Sequence, residues 1–591
     1  MGSWDERLSS LRILHCIVAR VDLNRVFAKL KTERLFLKVA FLIGRDDAAT
    51  HAAIARVCLL PRIETAVVLL DTGRTTGSQR WRNLKRNIRR EGWSYIFFRA
   101  LSALRQKLEK HADDVIPNGE VEQLLNAAFP EGSLAGLGSR YGFSVIEAGN
   151  LNAGLAVEQL RRSDADLGIV LGTRILKRDL FSIPRMGCIN LHKGKVPDYR
   201  GQPPGFWELY EGQNTAGVTV HFVDDGLDTG DVVGASEVVI HPMETPDSLR
   251  RKLDVEGADL LAKVVEEIER GTHVRIPQAK TAGRARTRPA RRQTQELARR
   301  LPHWRRLGDG RQAIKLATWL ALYYGGVYSF LRWWRRKTSR GAILLYHRVN
   351  DISEDVLTVS TRRFAQHLVT LRRHYRVIAS EQLVERVAAH ECLEESTVAI
   401  HFDDCYRDVR TNASPLLAAA RMPATFFISS GFVDTTRVFE HDELSSPHRF
   451  ENLCTQDVRE IPGLGVSVAA HTVTHADLGS VDEKQALTEV IECGKQLEQI
   501  VSRPVLLFSF PFGGIQNIRQ EIRQMVMTAG YRALFSAHGG FLDKNTSVFD
   551  IPRFGVNSDH SPLALMMELE GISQQQFKGW RRRRAAAVTK G

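Results

Sequence analysis

LKVAFLIGRDDAATHAAIARVCLLPRIETAVVLL (37–70) decides the fold class of the first half of the chain. LKVAFLIG is a short apolar run that ends in glycine, DAATHAAIARVCLL has helical spacing, and TAVVLL returns as a second buried strand. The alternation continues through FSVIEA (143–148), a helix over Asn152–Ser163, LGIVLG (167–172) and GCINLH (187–192). That pattern predicts an α/β domain with a parallel sheet and helices on both faces. It closes with an amphipathic helix over Ser248–Arg270, carrying Leu249, Leu253, Leu260, Leu261, Val264 and Ile268, with Gly271 placed to stop it. A second series starts at Ala342: AILLYH, VAIHFDD (398–404), ATFFIS (424–429), VSVAAH (466–471), LLFSFPFG (506–513) and YRALFS (531–536). The two series share no sequence similarity, so they read as two domains and not as a repeat.

The 591 residues are 43% apolar and 25% charged, which excludes collagen-like, disordered and polytopic membrane classes. Seven cysteines with no C-x-x-C pair argue against a disulfide framework or structural zinc. The opening MGSWDERLSS, acidic where a secretion signal is basic, leads us to expect a cytoplasmic protein. The net charge of +14 is local. Residues 275–340 hold 18 Lys/Arg against Glu296 and Asp309, a net of +16, which leaves about −2 for the other 525 residues. Charge gathered in a linker, and not spread over folded surface, gives no expectation of a nucleic-acid partner.

The linker has a basic part, 277–306, expected to be poorly ordered, and an uncharged aromatic stretch, Leu316–Leu331. Sixteen residues fall short of the ~20 needed to span a bilayer. We read the stretch as a helix lying in the membrane interface, with Trp319, Tyr323, Tyr324, Tyr328, Trp333 and Trp334 at headgroup depth; the alternative is a core helix capping one domain. Residues 80–108 are a second basic-aromatic candidate for membrane contact. An anionic membrane surface is thus an expected partner, with the protein peripheral on the inner face of the cytoplasmic membrane.

Two sets of residues carry chemistry. In GCINLHKGKVPDYRG (187–201), Asn190 and His192 are two apart at a strand end and leave the same face. Asp228, in GLDTGD (226–231), lies in a turn that can return its carboxylate to His192. An amide donor, an imidazole and a carboxylate suit acyl transfer to an amine. In the second series, HFDDC (401–405) and HTVTH (471–475) end two strands. Asp404, His471 and His475 form a two-His, one-carboxylate set for a divalent metal (Zn, Co or Ni), and Asp403 is left as a base. FSFPFGG (508–514) adds a turn whose Phe512 N–H could face an oxyanion.

Over residues 36–240 the order N-x-H, P-x-Y-R-G, L-D-T-G resembles the formyl transferase family that uses 10-formyltetrahydrofolate. The resemblance implies a Rossmann-like fold, catalytic Asn190, His192 and Asp228, and a folate site against Leu171–Leu176 and the Val223–Asp228 turn, with Leu171, Leu176, Val223 and Asp224 as its contacts. KGK before the proline departs from the usual pattern. Initiator-tRNA formyltransferases carry a C-terminal β-barrel where this chain enters its linker, so sugar-nucleotide N-formyltransferases are the nearer comparison. Residues 341–560 resemble the polysaccharide deacetylase (NodB-homology, carbohydrate esterase 4) family through ILLYHRV, F-D-D, H-T-x-x-H and F-P-F-G. That implies a distorted (β/α) barrel and metal-dependent N-acyl hydrolysis, with Asp403 as base and Asp404, His471 and His475 as ligands. His401, Cys405 and Ser509 depart from the family's usual Thr, Gly and Arg. The general-acid histidine is not apparent, His347 and His560 being the candidates.

The expected organisation is an N-terminal helical extension (1–35), a formyltransferase-like domain (36–274), the linker (275–340), a deacetylase-like domain (341–575) and a basic tail (576–591). The expected function is N-formylation of a nucleotide- or lipid-linked amino sugar together with hydrolysis of an N-acyl group. The alternatives are one working domain with the other degenerate, and a tRNA-directed formyltransferase.

Overall fold

This computed structural model describes residues 36–572 apart from 74–76, 202, 279–284, 302–308, 336–339, 354 and 394–395. The expected extension at 1–35 and tail at 576–591 lie outside the described residues. The first sheet contains β1 (Leu37–Ile43), β2 (Ile63–Leu70), β3 (Ser144–Glu147), β4 (Leu167–Leu171), β5 (Cys188–His192), β6 (Thr215–Phe222) and β7 (Val232–Val239). Their order is β3-β2-β1-β4-β5-β6-β7. Strands β1 to β5 are parallel, as the pattern predicts, whereas β6 and β7 form an antiparallel edge that the pattern did not signal. The reason is visible in β7, VVGASEVV, an outer strand whose residues are mostly exposed or half-buried and so carry little apolar signature. Successive side chains of β1 point to opposite faces. Val39, Phe41 and Ile43 pack with Ile54, Val57, Leu253 and Leu261, while Ala40 and Leu42 pack with Ala156 and Leu160. The helix Pro246–Glu269 starts with a reciprocal cap: Thr245 Oγ1 accepts from Ser248 N, and Ser248 Oγ accepts from Thr245 N.

The second sheet is built from β8 (Gly341–Tyr346), β11 (Arg376–Val377), β12 (Thr397–Phe402), β13 (Ala424–Ile428), β14 (Val466–Ala470), β15 (Leu507–Ser509), β16 (Ala533–Phe535) and β17 (Phe554–Gly555); β9 (Arg348–Val349) and β10 (Thr358–Val359) form a separate parallel pair. All pairings in the large sheet are parallel, in the order β16-β15-β14-β13-β12-β8-β17. A bridge from Phe535 to Ile551, three residues before β17, carries the last strand back to the first and closes the distorted barrel. Strand ends at one rim then converge, which is how barrels of this kind place their active sites.

The domain boundary in space differs from the one expected at 275. Helices Ser94–Asp113 and Asn118–Ala128, inserted between β2 and β3, bring Ile116, Val121 and Leu124 into the core of the second sheet. The linker is also more structured than expected. Its helix Arg291–Arg300 buries Leu297 against Phe206 and Trp207. The aromatic stretch is not one helix but two, Asp309–Tyr324 and Val327–Arg335, broken at Gly325–Gly326, where Gly326 has φ +81°. Leu316, Leu320 and Tyr328 are buried with Ala112, Leu563, Met566 and Met567, and Trp319 and Tyr323 pack against them. Those three aromatics are therefore not at headgroup depth: the core-helix alternative holds for this face. Tyr324 and Trp333 remain exposed.

His367 lies fully buried in the second core, where its Nε2–H donates to the His560 carbonyl (2.6 Å) and its Nδ1 faces the Tyr346 hydroxyl (3.1 Å). Burial lowers its pKa to about 3 from 6.5, so the folded state keeps it neutral while the unfolded chain takes up a proton below pH 6.5. Its contribution is complete above the unfolded value and is lost as pH falls toward the folded one. Urea unfolding at pH 7 and pH 5 should show about 2 kcal/mol of acid destabilisation from this group, largely absent in His367→Gln. An equal pH slope in both proteins would refute the assignment.

Candidate functional site

Two sites stand at carboxyl ends of strands. In the first, Asn190 and His192 come from β5 and the turn after β6 returns Asp228 with φ +54°, a left-handed conformation that a rigid turn must enforce. His192 Nε2 is 2.7 Å from the Tyr199 carbonyl, an acceptor only, so that nitrogen carries the proton. Nδ1, with its lone pair, then faces Asp228 Oδ2 at 3.5 Å. Burial lowers the His192 pKa against the opposing field of Asp228, which keeps the imidazole a neutral base. Burial opposes ionisation of Asp228, but the neighbouring His221 and His192 outweigh it and the carboxyl titrates below its ordinary range.

His221 was missed in the sequence. It stands on β6 directly opposite Asn190, where Nδ1–H donates to the Phe222 carbonyl (2.8 Å) and Nε2 lies 3.2 Å from Asn190 Nδ2. It thereby fixes the amide that the chemistry needs. The available signal was the histidine in VTVHFVDDGLDTG, seven residues before Asp228. The expected folate contacts divide. The side chains of Leu171 and Leu176 are core groups on opposite faces of the sheet, and between them runs the exposed loop Gly172–Ile175, pinned by Arg174 on Asp71. Asp224 shapes the second turn by accepting from Gly226 N and Thr229 Oγ1, and Val223 N bonds to the Cys188 carbonyl. A strap of linker holds the loop between them. Arg286 N donates to the Arg200 carbonyl, and a Cβ at Gly201 (φ +93°) would meet the Arg286 carbonyl oxygen at 2.3 Å. Gly201 N in turn donates to Asp228 Oδ2 at 3.1 Å.

In the second site Asp403 and Asp404 follow β12, His471 follows β14, and His475 ends the loop after it. Asp404, Thr472, His475 and Phe512 all have positive φ, between 60° and 81°. Ligand atoms of Asp404, His471 and His475 lie within 4.8 Å of one another. His471 Nδ1–H donates to the Ser509 carbonyl at 2.9 Å, which leaves Nε2 facing Asp404 Oδ1 at 3.6 Å; His475 Nε2 is 3.2 Å from the same oxygen. Burial lowers the His471 pKa to about 4. The other oxygen of Asp404 is buried without a hydrogen-bond partner, as a metal-directed carboxylate would be. The donor set thus fits a divalent ion.

Two residues that complete this site were invisible in the motifs. Arg553, fully buried, grips Asp403 with both Nη atoms at 2.7 Å and donates Nε to the Ser536 carbonyl. It supplies the guanidinium expected at Ser509; Ser509 Oγ instead sits 2.7 Å from His471 Nδ1. Glu489, on the helix Glu483–Val501, accepts from Val473 N, Thr474 N and Thr474 Oγ1 at 2.7–2.8 Å and so shapes the H-T-V-T-H loop. His401 is a core residue between Phe427 and Phe535, bonded to Ser380. Cys405 is buried and its thiol pKa is raised by that burial, as a small core residue. Of the two general-acid candidates, His560 is bonded to Asn557, whereas burial lowers the His347 pKa against the opposing charges of Asp404 and Asp403. His441, unmentioned by any motif, brings Nε2 to 3.8 Å from Asp404. Phe512 lies with its ring 5.0 Å from that of His475.

Residues 144–265 match the family model for formyl transferase, and residues 390–534 match that for polysaccharide deacetylase. The chain carries a formyl transferase domain followed by a polysaccharide deacetylase domain. Among curated proteins, the first domain is 38% identical over 139 residues to a methionyl-tRNA formyltransferase of Agathobacter rectalis, covering 23% of this chain and 45% of that one. A methionyl-tRNA formyltransferase of Geotalea uraniireducens is 34% identical over 182 residues, covering 29% and 56%. The chain spans about half the length of these curated relatives. Similar solved structures include a Streptococcus pyogenes deacetylase (20% identity, 39% of this chain, 98% of that one, TM-score 0.34). An N-formyltransferase from Helicobacter canadensis is another (14% identity, 42% and 71%, TM-score 0.27).

Purified protein should hold about one divalent ion per chain, released in His471→Ala. Glu489→Gln, which swaps an acceptor for a donor beneath the loop, should weaken metal retention about 10–100-fold in a chelator competition. Equal retention in wild type and both variants would place the ligands elsewhere.

Proposed function

We propose that the two domains act on one class of compound, an amino sugar carried on a nucleotide or lipid: the first forms an N-formyl amide and the second hydrolyses an N-acyl amide. The observation that carries this reading is that one chain brings together Asn190, His192 and Asp228, a set suited to making an amide at an amine, and Asp403, Asp404, His471 and His475, a set suited to breaking one. 10-Formyltetrahydrofolate, bound against the Gly172–Ile175 loop and the Val223–Asp228 turn, would supply the formyl group. His192 Nδ1 takes the proton of the attacking amine, and Asp228 at 3.5 Å stabilises the imidazolium formed. Collapse of the tetrahedral adduct breaks the bond from the formyl carbon to the folate nitrogen, which leaves as tetrahydrofolate with the proton returned by the imidazolium. Asn190, held by His221, offers its amide hydrogen to the developing oxyanion.

In the second domain, a Zn, Co or Ni ion held by Asp404, His471 and His475 would supply Lewis acidity toward the N-acyl carbonyl. Asp403, aimed by its bidentate Arg553 partner, receives the proton of the attacking water. The Phe512 turn borders the same site.

A second reading, formyl transfer to an aminoacyl-tRNA, has in its favour the likeness of the first domain to methionyl-tRNA formyltransferases. Against it, the described residues between the helix Pro246–Glu269 and β8 form isolated bridges at Ile276 and Arg286 and three helices, with no further sheet among them.

Mass spectrometry of nucleotide- and lipid-linked amino sugars, and of methionyl-tRNA, incubated with 10-formyltetrahydrofolate with and without chelator tests these readings. The amino sugar should be formylated, and an N-acyl sugar should be cleaved only without chelator. His192→Ala and Asp228→Asn should each slow formylation by roughly 10²–10⁴. Formylation of tRNA alone would overturn the amino-sugar reading, and near wild-type rates in both variants would remove the residue assignment.

A further inference from the structure

We propose that the inserted hairpin Gly77–Asp113 and the linker helices Asp309–Arg335 form one composite surface that docks on an anionic lipid bilayer. Neither segment does this alone. The Ser94–Asp113 helix packs along the linker through Leu108 and Ala112, which meet Leu316, Leu320, Trp319 and Tyr323. With those side chains consumed between the two segments, the bulky groups left outside are different ones. Trp93 is 78% exposed, Phe97 65%, Trp333 57% and Phe330 52%, joined by Leu104 and Tyr324. Trp93, Phe97 and Leu104 are spaced i, i+4, i+11, a single stripe of their helix. Soluble surfaces rarely expose this many large apolar groups in adjoining elements.

Charge identifies the occupant. Between Arg80 and Arg99 there are seven basic residues and one acidic residue, Glu91. The basic linker joins the same hairpin: Arg90 donates to the Arg288 carbonyl, and the Arg291 guanidinium lies 3.0 Å from the centre of the Phe98 ring. Lys85 likewise lies over Trp81. Basic groups beside exposed aromatic and aliphatic side chains match a layer of anionic headgroups over acyl chains. Nucleic-acid phosphates would engage the arginines but leave Phe97, Leu104 and Phe330 in water. Among the described residues no helix is long and apolar enough to cross a membrane, so contact is by lying on the surface.

Co-sedimentation of the full chain tests this, using vesicles of phosphatidylcholine with and without phosphatidylglycerol, with a structured RNA as competitor. Binding to the anionic vesicles should be at least about tenfold tighter than to neutral ones and should weaken with salt. A variant carrying Trp93→Ser, Phe97→Ser, Phe330→Ser and Trp333→Ser should lose about tenfold or more in affinity, since the apolar contribution scales with the area buried. A second variant, Arg82→Glu, Arg86→Glu and Arg89→Glu, should lose the preference for anionic lipid. All of these are solvent-facing positions, so circular dichroism should be unchanged. No binding to anionic vesicles at low salt overturns the proposal, as does wild-type binding by the aromatic variant or displacement by RNA at lower concentration than by vesicles. The formylation assay is read independently of this result.

Discussion

The ion pair between Arg553 and Asp403 ties the second domain together. Arg553 immediately precedes β17, the strand whose pairing with β8 closes the sheet, and its Nε bonds to the Ser536 carbonyl just after β16. Its two Nη atoms reach Asp403 at the end of β12. One fully buried guanidinium thus links three strand ends. A buried charge of this kind is tolerated only when its donors are met, and removing one partner leaves an uncompensated ion. Arg553 thus holds Asp403 from beside the bridge that closes the barrel.

The two sites use one device for their histidines. In each, one ring nitrogen donates to a main-chain carbonyl, Tyr199 for His192 and Ser509 for His471, which forces the lone pair of the other nitrogen toward a carboxylate. In each, burial lowers the imidazole pKa and keeps it neutral. A neutral imidazole is what the proton acceptor proposed for the first site needs, and what the metal ligand proposed for the second needs. The carboxylates they face, Asp228 in the turn after β6 and Asp404 just after β12, both sit in left-handed backbone. The surrounding sheets hold those conformations in place.

The linker shows how a composition signal can be correct in kind and misplaced in space. The basic excess and the aromatic stretch are evident from residue counts. The Gly325–Gly326 break and the inserted hairpin then send one part of the apolar set, with Leu316, Leu320 and Tyr328, into a core. The rest, Tyr324, Phe330 and Trp333, faces outward.

Sequence by itself determined the element types of both series, the strand-end positions of Asn190, His192, Asp403, Asp404, His471 and His475, and the families they resemble. Those features are local: apolar periodicity and short motifs at strand ends need only neighbouring residues to be read. Tertiary structure alone decided that β6 and β7 run antiparallel, that His221 faces Asn190, that Glu489 shapes the H-T-V-T-H loop and that Ile116, Val121 and Leu124 join the second core. It also decided that Arg553, 150 residues from Asp403, supplies the missing guanidinium. Each of these is a contact between segments remote in sequence, and a side chain's partner across such a distance is chosen by packing and by the need to satisfy buried charge, which no local pattern records.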